Sequence, residues 1–200
     1  MKNKGQKTKE EIISQSLQLF SLKGYFNTSI QDVLKATGLT KGGLYCHFAG
    51  KQAIWKACHR EAVRVWQSIV FRRSSHELPA YEQLTKILED DLLEYLGKDT
   101  FRGGCFFFNM LIELAGQEPE LVHTLLDGFK KFELKLAGLI RQAIDEGDLP
   151  KGVPIEKAAT HVMVMINGAA AVYAAQRDKQ LLTDTLDQLF CYLRSFPDTV

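Results

Sequence analysis

Residues 28 to 51 read TSIQDVLKATGLTKGGLYCHFAGK and concentrate groups suited to touching a polyanion: Thr28, Thr40, Lys41, Gly42, Gly43, Tyr45, His47 and Lys51. Hydroxyls, a phenol and an ammonium suit phosphate oxygens, whereas Lys41 beside the side-chain-poor Gly42-Gly43 pair suits close approach to base edges. Each glycine costs about 1 kcal/mol against alanine inside a helix, so two in succession need a reason. The reason is either an external molecule that comes close or a tight helix-helix contact inside the protein.

A second stretch, FRGGCFFFNMLIELA at 101 to 115, carries different chemistry. Cys105 follows two glycines near an expected helix start, where the helix dipole and Arg102 favour thiolate. It reads as a reactive sensor of electrophiles or oxidants, or as a small buried residue. Asn109 and Glu113, four apart on an apolar helix, are either paired with neighbours or orient a ligand. Trp66, Phe71, Tyr95, Phe108, Phe129, Phe132, Met163, Asn167 and Tyr173 are the further candidate walls of a cavity. Its occupant is expected to be a small apolar, aromatic or electrophilic effector.

These groups need helices to hold them. Ser29 caps a helix with Asp32 three positions on, Ile30, Val33 and Leu34 form its apolar stripe, and Gly38 stops it. Thr40 caps a second helix in which Leu44 and Phe48 face inward. A first helix is expected over about Thr8 to Lys23, preceded by a basic arm of Lys2, Lys4, Lys7 and Lys9, and a fourth over about Gln52 to Phe71. Breaks at Pro79, Gly97, Gly103-Gly104, Gly116 to Pro119 and Gly147 to Pro154 set five more, near 79–96, 103–116, 119–146, 155–176 and 180–195. No stretch shows the period-two alternation of a strand. The expected fold is all-α, about nine helices, with a helix-turn-helix domain at 1–50 and a larger helical ligand-binding and dimerisation domain at 51–200.

Charge is divided in the same way. The first sixty residues carry ten Lys/Arg against three Asp/Glu, and the remainder fifteen against twenty-one. The basic portion is the one expected to meet nucleic acid. Helix 155–176 is rich in small residues, and Leu182, Leu186, Leu189 and Leu193 recur along the last helix, so residues 155–195 are the expected homodimer interface. The lysine-rich start has no apolar signal segment, and no uninterrupted apolar run of about 18 residues occurs, so a cytoplasmic protein with no membrane partner is expected. Four cysteines with no CxxC pair imply free thiols, no metal and no cofactor. An enzyme using Cys105 with His123 as base would lack any recognised motif spacing.

The densest pattern also resembles a known family. Phe20, Gly24-Tyr25 and Thr28, then Ala36, Gly38, Thr40, Gly42, Leu44, Tyr45, His47, Phe48 and Lys51, are similar to the DNA-binding signature of the tetracycline-repressor (TetR) family, with Thr37 and Cys46 as small departures. The likeness covers about the first quarter of the chain. It implies a dimeric regulator, most often a repressor, that binds a palindromic double-stranded DNA operator and is released by a small molecule. The Gly-Cys start at 104–105 is similar to that of family members that respond to electrophiles.

Overall fold

A computed structural model describes residues 3–198, and within them the chain is helical with no strand. The helices are α1 (Lys4–Lys23), α2 (Ile30–Thr37), α3 (Lys41–Tyr45), α4 (Lys51–Val70), α5 (Ala80–Glu89), α6 (Phe106–Leu114), α7 (Pro119–Asp145), α8 (Ile155–Gln176) and α9 (Lys179–Arg194). Helix α5 continues without a break into a π-helical segment, Asp90–Leu96.

Asn3 starts α1 four residues earlier than expected, because its side-chain oxygen accepts the Gln6 N–H at 2.8 Å and satisfies one of the open donors of the first turn. Lys4, Lys7 and Lys9 are therefore helical and form no arm, and Lys2 lies outside the described residues. Helix α2 has the expected reciprocal cap, with Asp32 N–H donating to Ser29 Oγ and Ser29 N–H donating to Asp32 Oδ2. Ile12, Phe20, Val33 and Leu44 close a small core over which α4 lays Ile54, Trp55 and Cys58.

The larger part is a bundle of α4 to α9. In it the α5 stripe of Leu84, Ile87, Leu88 and Leu92, the α7 residues Leu136 and Ile140, and the α8 residues Val162 and Ile166 are buried together. Leu182, Leu186, Leu189 and Leu193 of α9 are also buried within the same chain, which corrects their assignment to a subunit interface. Helix α8 has the longer outward apolar face, with Val164 at 64 % and Val172 at 42 % exposure. By length and composition α8 is apolar enough to cross a membrane, yet 44 % of its most apolar stretch is buried inside this bundle.

Candidate nucleic-acid interface and ligand cavity

The tip of the small domain is bare. A Cβ placed on Gly42 would meet nothing within 4 Å, so no internal contact requires that glycine. Gly43 packs against the cap instead: Thr40 Oγ1 accepts its N–H at 3.2 Å and stands 3.3 Å from where its Cβ would be. Thr40, Lys41 and Tyr45 surround this tip on the solvent side, with Tyr45 at 44 % exposure, while Leu44 and Phe48 face inward. His47 is half-buried beside Gly5 of α1.

Two residues expected here are elsewhere. Thr28 is fully buried and its hydroxyl donates to the Gly24 carbonyl at 2.7 Å, so it shapes the turn before α2 and has no outward surface. Lys51, the first residue of α4, places its ammonium 4.3 Å from the centre of the Tyr25 ring. Desolvation lowers its pKa there, while Glu113 and Glu118 act in the opposite direction. It belongs to the junction beneath the small domain and not to its tip.

That junction is built around two glycines. Gly24 ends α1 at φ 82°, a left-handed conformation natural to glycine. A Cβ on it would come within 2.4 Å of the Glu113 carboxylate. The space is taken because Glu113 accepts the backbone N–H groups of both Tyr25 and Phe26, at 2.7 and 2.8 Å. At the other end of α6, a Cβ on Gly103 would stand 2.0 Å from the Ser21 carbonyl. Helix α6 thus touches the small domain just before its first residue and near its last, and Glu113 has the structural role.

Beside α6 opens a cavity of about 730 Å³ between α4, the π-helical segment, α7 and α8. Trp66, Phe71, Tyr95, Cys105, Phe129, Phe132, Met163 and Asn167 line it. Trp66 is the hub of its aromatic wall, edge-on to Phe132 at 4.9 Å and to Phe71 at 5.4 Å between ring centres. Three expected walls lie outside it. Phe107, not Phe108, faces the cavity, since successive helical positions point about 100° apart. Asn109 instead ties α6 to the preceding loop, its Nδ2 donating to the Gly103 carbonyl at 2.6 Å. Tyr173 is buried, with its hydroxyl 3.4 Å from the Gly97 carbonyl that accepts it.

Cys105 lines the cavity, and of its two readings the buried thiol fits and the reactive thiolate does not. It is the residue before α6, and burial pushes its thiol up to about 11 against hydrogen bonds from the Phe108 and Phe107 backbone that pull it down. Desolvation outweighs the helix start. His123, the imagined base, projects into solvent 3.6 Å from Asp127 and makes no contact with Cys105 among the described residues.

The cavity also holds groups that escaped the sequence reading. His59 is stacked on Trp55 and edge-on to Phe107, and burial lowers its pKa to about 4. Asp91 accepts the Trp66 indole N–H at 2.8 Å, and burial raises its carboxyl to about 6. Its signal was present: Leu84, Ile87, Leu88, Asp91, Leu92 and Tyr95 follow one helical stripe, and an acid in such a stripe needs a buried purpose. Among the described residues no three metal-binding side chains converge.

Comparisons with known proteins agree with this arrangement. The family described as "Bacterial regulatory proteins, tetR family" matches residues 12–58, and "Tetracyclin repressor-like, C-terminal domain" matches residues 80–189. An uncharacterized HTH-type transcriptional regulator in the lacX 3' region of Lactococcus lactis is 27 % identical over 91 % of each chain. A TetR transcriptional regulator from Chloroflexus aurantiacus superposes with a TM-score of 0.86 at 24 % identity, over 94 % of this chain and 95 % of its own. The regulator CifR, solved as a cysteine mutant with 26-bp operator DNA, superposes at 0.75 with 18 % identity, over 94 % and 96 %.

Proposed function

The chain belongs to the tetR family of helix-turn-helix transcriptional regulators, and we propose that it acts as a cytoplasmic repressor whose grip on its operator is released by a small molecule in the cavity. Residues 1–50 are the DNA-reading unit and 51–200 the effector and dimerisation unit. Thr40, Lys41, Tyr45 and His47 contact the duplex around Gly42 and Gly43, the first and third mainly at phosphates and Lys41 nearest the bases. One such tip buries little surface, and two related by a two-fold axis read a palindrome about 34–36 Å apart. The second copy packs on the outward face of α8, where Gly168 and Ala171 allow close approach beside Val164 and Val172. Regulation, not catalysis, is its work.

The observation that carries the ligand response is Glu113. It sits on the helix that contributes Phe107 to the cavity and holds the turn between α1 and α2 by two backbone N–H groups. An occupant that displaces α6 changes the setting of the tip, and a shift of a few ångströms between the paired tips weakens binding. The test is a genomic-fragment selection with the purified protein, followed by fluorescence anisotropy on the selected operator with and without effector. Salt-dependent binding that Glu113→Ala leaves insensitive to effector supports the proposal. Binding to no fragment overturns it.

A further inference from the structure

Apolar walls do not account for the two ends of the cavity. At the deep end Asp91 is 4 % exposed, and Trp66 gives it one hydrogen bond. Its neighbour Asp90 is neutralised by Arg73 and Arg72, but Asp91 has no cation among the described residues. Four positions on, Tyr95 is 3 % exposed; its hydroxyl has no nitrogen or oxygen partner and stands beside the Cys105 thiol, a weak one. An under-satisfied carboxylate and a phenol with only a thiol beside it are costly to bury, and a ligand that hydrogen-bonds to both offsets that cost.

The mouth is of opposite character. Lys56 and Arg60 line it from α4, and Lys131 and Lys135 from α7, each pair four apart and so on one helical face. Glu120 neutralises Lys56. Arg60, Lys131 and Lys135 form no salt bridge among the described residues, and the acid on that rim is Asp127, beside His123. The rings of Trp66, Phe107 and Phe132 form one aromatic section of the same wall.

We infer that the effector is an elongated aromatic carboxylate bearing a hydroxyl at its far end. The carboxylate lies among Arg60, Lys131 and Lys135, the rings fill the aromatic section, and the hydroxyl donates to Asp91 while accepting from Tyr95. A hydroxyl suits this pair because it is donor and acceptor at once. The 730 Å³ of space falls within the ordinary range of small-molecule sites. This inference rests on the effector reading above and gives it a chemical class.

The chain has two tryptophans, and Trp66 in the cavity wall reports binding by fluorescence. Titrations at pH 7.5 use 4'-hydroxybiphenyl-4-carboxylate, biphenyl-4-carboxylate, 4-phenylphenol and the cationic 4-(aminomethyl)biphenyl. The hydroxy acid is expected to bind about tenfold tighter than the acid without the hydroxyl, the effect of a hydrogen bond to a charged group. It should also exceed 4-phenylphenol by a margin that shrinks with salt. Asp91→Asn cuts the hydroxyl preference, and the Lys131→Gln, Lys135→Gln double variant cuts the carboxylate preference alone. Should Asp91→Asn not fold by circular dichroism, Tyr95→Phe tests the same end.

Equal affinity for the acids with and without hydroxyl, tightest binding of the aminomethyl compound, or saturable binding of none overturns the inference. Operator release is followed separately by anisotropy. A hydroxy acid that binds with the expected preferences and leaves the operator complex intact keeps the ligand class and overturns the effector reading.

Discussion

Tyr45 stands on the outer side of a five-residue helix with its ring 44 % exposed, so its removal disturbs nothing beneath it. Tyr45→Ala is expected to change stability by no more than about 0.5 kcal/mol and to weaken operator binding about tenfold, as for one charge-assisted contact. Melting curves and anisotropy read the two quantities, and unchanged affinity removes Tyr45 from the interface. Asp91 and His59 predict a pH profile. The Asp91 carboxyl is raised from 3.8 to about 6 by burial, so its folded form favours the proton and stability falls as pH rises from 3.8 through 6. The His59 imidazole is lowered from 6.5 to about 4 by burial, with Arg60 adding to the effect. Its contribution is whole above pH 6.5 and is lost as pH falls toward 4. The two slopes oppose each other where they overlap. Asp91→Asn is therefore expected to raise stability at pH 7.5 by up to about 3 kcal/mol and to expose the His59 slope, which thermal melts from pH 4 to 8 would show. A residue whose loss stabilises the empty protein is one kept for another purpose.

Among the elements, the turn at Gly24 is the most exacting. Gly24→Ala must adopt φ 82° and drive its methyl into the Glu113 carboxylate, so it should destabilise by more than about 1 kcal/mol and loosen the small domain. Lower melting temperature together with weaker operator binding is the expected result, and Glu113→Ala combined with it should cost less than the sum of the two. The sequence ended the first helix at Lys23, just before Gly24, because a glycine after a basic last turn is a local signal. It hid the partner eighty-nine positions away, since nothing local in FNMLIEL says which backbone Glu113 will meet. The caps Ser29 and Thr40 and the breaks at Pro79 and Gly147 were legible for the same local reason. The π-helical segment was not: within it adjacent Asp90 and Asp91 serve Arg73 and Trp66 separately, a demand set by α4 and the loop after it. The error at Phe108 was one of phase: Phe107, one position earlier, takes the cavity-facing place on α6.

For the whole molecule, the outward face of α8 is the feature that one chain leaves unfinished. Val164→Glu, at 64 % exposure, is expected to leave the protomer folded and to halve the mass measured by light scattering. Operator affinity should fall by orders of magnitude as two tips act separately. A dimer of unchanged mass would move the interface elsewhere. The seam between the two units has a consequence for building hybrids. Tyr25 and Phe26 borrow their acceptor from Glu113 of α6 in the other unit, so a cut at residue 50 and a graft onto a foreign body removes the carboxylate that fixes both amides. Exchange of reading heads between relatives should succeed where the recipient offers an acid at that place and fail where it does not, whatever operator the donor prefers.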